Sequence, residues 1–333
     1  MMLSLFVVTA SMSWSVLTGG IDTNLRGISV VSKKTGQETT IWVSGSHGAI
    51  LRSIDSGKNW ERLSIPQTES LDFRGVQAFN ANEAYVMSSG EGEKSRIYKT
   101  IDGGKNWELQ YTDTRKEFFL DGLACASPTS CFALSDPVGG KFLVLRTEDG
   151  KNWKELSGEK MPAALPKEGA FAASNTSLLL SGKKEIYFGT GGPAARVFHS
   201  DDLGKNWTVT ETPILKGKAP QGIFSLARSG DIIVAVGGDF EQPEQGERSA
   251  AYSIDNGKTW RLARNFPGGY RSAVVRSKWE FIAVGPTGVD ISRDGVDWRP
   301  IEGMALNGIA FDNEKGWGIG SKGTIAACVK KKM

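Results

Sequence analysis

Residues 253–260 read Ser253-Ile254-Asp255-Asn256-Gly257-Lys258-Thr259-Trp260, and five near-copies of this phrase stand elsewhere in the chain. They are SIDSGKNW from Ser53, TIDGGKNW from Thr100, TEDGKNW from Thr147, SDDLGKNW from Ser200 and SRDGVDW from Ser292. Their aspartates are Asp55, Asp102, Asp149, Asp202, Asp255 and Asp294, at separations of 47, 47, 53, 53 and 39 residues. The third and sixth copies are one residue shorter between Asp and Trp. In each copy the Ser, Thr or Asp oxygens can accept backbone N–H bonds in a tight turn. Gly supplies a positive φ, and Trp opens the next strand with a large ring to bury. Alternation on both sides, as in Ala49-Ile50-Leu51-Arg52 and Trp60-Glu61-Arg62-Leu63, makes each phrase the tip of a β-hairpin.

Upstream of each phrase lie two further strands. Gly27-Ile28-Ser29-Val30-Val31 followed by Ile41-Trp42-Val43-Ser44-Gly45 is one pair, and Ala273-Val274-Val275 followed by Phe281-Ile282-Ala283-Val284-Gly285 is another. Four strands in a repeat of about 40–50 residues is a propeller blade. A seventh unit has no boxed turn and only three strands: Gly308-Ile309-Ala310-Phe311, Gly316-Trp317-Gly318-Ile319-Gly320 and Thr324-Ile325-Ala326-Ala327. Its missing outer strand is expected from Trp14-Ser15-Val16-Leu17, which resembles the strands after the turns. The expected fold is therefore all-β, a seven-bladed β-propeller spanning residues 14–329 and closed by its N-terminal strand, which leaves no open end to the circle.

The composition narrows the function. The 333 residues hold 40 Lys+Arg against 37 Asp+Glu, a balance unlike that of a nucleic-acid coat. Hydrophobic residues, at 39%, suffice for a large core. Two His, His47 and His199, and three Cys leave no room for zinc sites built from several such ligands. No EF-hand calcium loop is present, and no cofactor is expected. Gly189-Thr190-Gly191-Gly192 follows a strand but precedes no helix, so it is not read as a phosphate loop.

Residues 1–13 read as a signal-peptide remnant or N-terminal extension, with an apolar run from Leu3 to Val8 and small residues after it. No other stretch approaches the ~20 apolar residues of a membrane span. Cys125 and Cys131 flank a hairpin turn, where they form either a disulfide suited to an oxidising compartment or two small buried core residues. Residues 330–333, Lys330-Lys331-Lys332-Met333, read as a basic tail.

The six phrases resemble the Asp-box, or BNR repeat, of form S-x-D-x-G-x-x-W. That resemblance implies turns at the blade periphery and a structural role for the six aspartates. The repeat is shared by sialidases, sortilin-like receptors, xyloglucanases and assembly factors. Over residues 14 to 328 the chain is similar to the Ycf48/HCF136-like group, named after the photosystem II assembly factor. The likeness rests on the seven units and on Leu25-Arg26-Gly27-Ile28, Phe73-Arg74-Gly75-Val76 and Gly320-Ser321-Lys322-Gly323-Thr324-Ile325. It implies a periplasmic, lumenal or secreted protein that binds and stabilises another, in that group an unassembled membrane subunit. The insertion from Asp239 to Ser249 and the missing lipid-attachment cysteine point to a generic bacterial relative rather than to the photosystem factor itself.

One rim of the ring should carry the function. Aligning the innermost strands puts Arg26, Arg74, Asp121, Glu168 (or Gly169), Ile223, Arg271 and Asn307 at their entries. The loops on that side bring Asp136, Arg196 and Asp239. Arginine can grip a carboxylate bidentately. Arg26, Arg74, Asp121, Asp136, Arg196, Asp239 and Arg271 are thus candidate binding residues for an acidic ligand or protein segment. In the competing reading the arginines only pair with neighbouring aspartates and fix the loops. The functional expectation is a monomeric, non-catalytic scaffold with no nucleic-acid partner. The alternative is a secreted glycoside hydrolase with a carboxylate pair in the mouth. A sialidase of the usual kind is disfavoured, because its F/Y-R-I-P phrase is matched only by Phe73-Arg74-Gly75-Val76.

Overall fold

A computed structural model describes residues 12–18, 20–32, 38–313 and 315–330. Seven four-stranded antiparallel sheets form the ring. The blades run in chain order, the first from Leu25–Val31 to Glu61–Leu63 and the sixth from Ala273–Arg276 to Arg299–Ile301. The seventh comprises Gly308–Asp312, Lys315–Ile319 and Thr324–Lys330, and Met12–Thr18 pairs antiparallel with the last of these. Trp14 lies opposite Cys328 and Val16 opposite Ala326, as the closing-strand reading requires. That strand begins at Met12, two residues before the expected boundary. Residues 1–11, which hold most of the signal-remnant reading, lie outside the described residues, as do 331–333 of the basic tail. Among the described residues, helix is limited to two short 3-10 turns, Gly92–Lys94 and Gly158–Lys160. No helix there is long and apolar enough to cross a membrane.

The blades adhere through apolar clusters wedged between neighbours. Trp42 and Ile50 of the first blade pack on Phe73 and Val86 of the second. Trp317 and Ile319 of the seventh pack on Leu25 and Ile41 of the first, which closes the circle chemically as well as by strand pairing. Seven such clusters join the seven pairs of blades. Each fully buried large side chain contributes on the order of 2–3 kcal/mol.

The repeated turns explain why the phrase recurs. In the second blade the Asn106 backbone N–H and carboxamide donate to Asp102 at 2.9 and 2.7 Å. Thr100 Oγ1 donates to Asp102 at 2.9 Å and accepts from Gly104 N at 2.9 Å. The Trp107 indole N–H then returns to the Gly104 carbonyl at 3.1 Å. The Asp55, Asp149, Asp202 and Asp255 carboxylates accept from the equivalent donors with small variations, and the indole bond recurs at Trp207, Trp260 and Trp298 but not at Trp60 or Trp153. Asp294 accepts from Val296 N and Asp297 N. Both oxygens of Asp102 are occupied by donors, foremost the Asn106 N–H, and its carboxyl falls to about 2.

Cys125 and Cys131 are register partners and form a disulfide, with Cα atoms 4.0 Å apart. Cys328 is free and buried. The bridge closes a short loop, sequence separation 6. Its reduction is expected to cost about 2 kcal/mol of stability, read as a lower urea midpoint in the presence of reductant. An unchanged midpoint would mean that the two sulfurs are not bonded in the folded protein.

Candidate functional site

Three innermost strands, in the first, second and third blades, bulge by one residue near the same rim. The register shifts fall between Leu25 and Gly27, Phe73 and Gly75, and Leu120 and Gly122. The extra residues are Arg26, Arg74 and Asp121. A bulge re-aims a side chain that the pleat would otherwise assign to a blade face, so a repeated bulge makes a ring of re-aimed groups. The fifth blade bulges likewise between Ile223 and Ser225. The residue presented there is Phe224, not the expected Ile223, which is buried between blades.

Arg74 Nε donates to Asp72 at 2.7 Å and its Nη1 to the Ala172 carbonyl at 3.3 Å. Its side chain remains 29% exposed. Arg26 is half-buried and lies against the Asn24 carboxamide, 2.9 Å from Nη2. Among the described residues no carboxylate lies within ion-pair distance of it. Burial and the positive charge of Arg74 lower its pKa, with Asp72 and Tyr270 opposing. The two guanidiniums thus share the Asp72 carboxylate, and Arg74 also lies in the field of Asp121.

Asp121 is 1% exposed, and among the described residues its carboxylate oxygens have no well-formed hydrogen bond; the neighbouring Asp136 N–H, which lies close enough to pull its pKa down, donates to the Phe119 carbonyl at 3.0 Å. Burial, reinforced by Asp136, holds its pKa well above the carboxylate range, while Arg74 pulls it down. Asp136 accepts from Ala170 N at 2.8 Å, and burial pushes it up to about 6. It lines a cleft of about 610 Å³ with Glu117, Leu165 and Lys167.

The remaining candidates are held elsewhere. Arg271 is buried 2% exposed, donating from Nε to Asp290 at 2.6 Å and from Nη1 to Thr287 Oγ1 at 2.7 Å. It does not line the open face; Asp290, a third-strand residue, draws it inward. Arg196 pairs with buried Glu168 through Nε at 2.8 Å. Asp239 accepts from Gln221 Nε2 at 3.0 Å and Glu241 N at 2.9 Å, anchoring the inserted loop. The loop-fixing reading therefore describes these three, but with Asp290, Glu168 and Gln221 as partners. The six turn aspartates are occupied within their turns.

The fourth blade departs most from expectation. Its inner strand begins at Leu178, opposite Phe188, rather than at Glu168 or Gly169. The residues before it cross the mouth. Asn175 exchanges hydrogen bonds with Leu123 N and O at 2.7 and 2.9 Å. Thr176 Oγ1 meets Ser225 Oγ at 2.6 Å, and Ser174 Oγ donates to the Ser272 carbonyl at 2.7 Å. Ala172 takes Arg74, so this strap ties the second, third, fifth and sixth blades together. It lies down where glycine permits: a Cβ on Gly191 would come 2.2 Å from Phe171 Cε2. Phe171 stacks on Phe224 at 3.7 Å, Tyr270 meets Phe224 edge-on at 4.7 Å, and Ala173 completes an eighth apolar cluster at the mouth. The 53-residue spacing from Asp149 to Asp202 and the small-residue run from Ala170 to Ser177 were the available sequence signals.

The family model of the DUF6242 beta propeller domain matches residues 8–282. The chain belongs to this family. None of the curated proteins matches the sequence significantly. Among solved structures, YCF48 bound to D1 peptide is similar at 15% identity and TM-score 0.66, covering 96% of this chain and 97% of that one. YCF48 from Cyanidioschyzon merolae follows at 17% and 0.65, covering 94% and 98%. Virginiamycin B lyase from Staphylococcus aureus has 14% and 0.69, covering 96% and 99%. At such identities the likeness establishes a Ycf48-like propeller fold, which a lyase also shares.

Proposed function

We propose that this member of the DUF6242 family is a non-catalytic binding propeller that holds an acidic segment of a partner protein against Arg26 and Arg74. The observation that carries the reading is the half-buried Arg26, which among the described residues has no carboxylate at ion-pair distance and sits in the field of a second guanidinium, that of Arg74. An arriving carboxylate would supply a counter-charge at that distance and two parallel N–H···O bonds. The D1 peptide held by YCF48 is a precedent on the same fold. The six turns are read as Asp-boxes, with a structural role. The disulfide supports an exported protein, because such bonds persist in oxidising compartments. The hydrolase alternative has weaker support, since of the neighbouring carboxyls Asp121 and Asp136 the first is sealed from water.

The test is a peptide array in which one position is Asp, Glu, Asn or Gln. The native protein should retain the Asp and Glu peptides and release them as salt rises. The Arg26→Ala/Arg74→Ala variant should bind them about tenfold or more weakly. Equal retention of charged and neutral peptides by both proteins would overturn the reading.

A further inference from the structure

The mouth is not only cationic. Ala172, whose carbonyl takes Arg74, is followed back along the chain by Phe171, stacked on Phe224 at 3.7 Å with ring planes 12° apart. Phe240, from the inserted loop, stands edge-on to both rings at 6.4 and 6.1 Å and is 48% exposed. Tyr270 joins the two halves: its ring meets Phe224 edge-on, and its hydroxyl lies in the field of Arg26 and Arg74. A half-exposed large aromatic ring leaning on the partly buried Phe171, itself stacked on buried Phe224, is costly to keep in water, and the free surface of Phe240 and Phe171 is gained back when another apolar group covers it.

We infer that the mouth is a two-part site for an amphipathic peptide segment, in which an aromatic side chain covers Phe240 and the Phe171–Phe224 stack while a neighbouring carboxylate engages Arg26 and Arg74. The inference rests on the proposed anion-binding role and adds a side-chain preference to it. Charge complementarity selects the occupant: an uncharged apolar partner would leave the paired guanidiniums desolvated without a further counter-charge, and a free small anion would leave the rings uncovered. The strap from Ala170 to Ser177 floors the site, so the segment lies across the mouth rather than threading the ring.

The experiment is an NMR titration, up to millimolar concentration, of three capped peptides: Gly-Ser-Phe-Asp-Ser-Gly, Gly-Ser-Ala-Asp-Ser-Gly and Gly-Ser-Phe-Asn-Ser-Gly. The proteins are the native chain and Phe240→Ala, a rim substitution whose melting temperature is checked first. The Phe-Asp peptide should bind the native chain about tenfold more tightly than Ala-Asp, and this advantage should shrink to about threefold or less in Phe240→Ala. The Phe-Asn peptide should bind weakly to both. If Phe-Asp and Ala-Asp bind alike, or the advantage survives Phe240→Ala unchanged, the aromatic half is wrong while the anion role stands. If neither acidic peptide binds, both fall.

Discussion

Replacing Arg271 by alanine is expected to destabilise the protein by about 3–5 kcal/mol, the largest single effect foreseen for any of the rim arginines. Arg271 and Asp290 are both essentially sealed from solvent. The guanidinium also holds the Tyr270 carbonyl at 2.8 Å and Thr287 Oγ1 at 2.7 Å. Asp290 in turn accepts from Gly268 N at 3.2 Å. Truncating the cation strands a buried carboxylate, two acceptors and the loop between Gly268 and Tyr270. Asp290→Ala in the same background removes the stranded charge, so the double variant should be less damaged than the sum of the two single variants. Urea unfolding of the four proteins measures this directly; an Arg271→Ala midpoint matching the native one would show that the pair carries no structural weight. For the same reason, binding experiments on the mouth should vary Arg26 and Arg74 and leave Arg271 in place.

Asp121→Asn should act in the opposite direction and only at higher pH. The folded chain raises the Asp121 carboxyl, through burial and then the charge of Asp136, and raises Asp136 itself to about 6. Unfolded, both titrate near 4. Above that pH the native state therefore holds protons that the unfolded state has released, and the slope of unfolding free energy with pH is negative. The stability associated with these two groups is fully present below about pH 4. Asp136 loses its share as pH climbs to about 6, and Asp121 loses its share over a longer range. The turn aspartates work the other way. Asp102 and Asp255 sit at about 2, so their contribution is present above the unfolded value and lost as pH falls through the folded one. Asparagine at 121 keeps the shape and cannot ionise. At pH 8 the variant should exceed the native protein by about 1–3 kcal/mol, and at pH 4 the two should match. Parallel pH profiles for the two proteins would refute this account of Asp121.

Much of the site was legible residue by residue, but less of its arrangement. Aligning inner-strand entries picks out Arg26, Arg74 and Asp121, and the structure places each of the three at a one-residue bulge. The same alignment slipped by one at Ile223, because a bulge is a count of residues against a partner strand and only the pairing reveals it. It slipped further at Glu168, where the long spacing was taken up before the inner strand rather than within it. Arg196 and Arg271 read as mouth residues because sequence places them at the rim; their partners, Glu168 and Asp290, decide which way they turn.

The recurring turn, the alternation beside it and the three-stranded last unit determined the seven-bladed ring and its closure by the N-terminal strand. These are local signals: each turn is satisfied by hydrogen bonds within about five residues, and each strand carries its own hydrophobic period. What gathers at the mouth was decided by tertiary structure alone. The strap, the Phe171–Phe224–Tyr270 cluster and the neighbouring Arg26 and Arg74 guanidiniums join residues from different blades. Their environment depends on desolvation and on charges brought close by ring closure, which no stretch of the chain contains by itself.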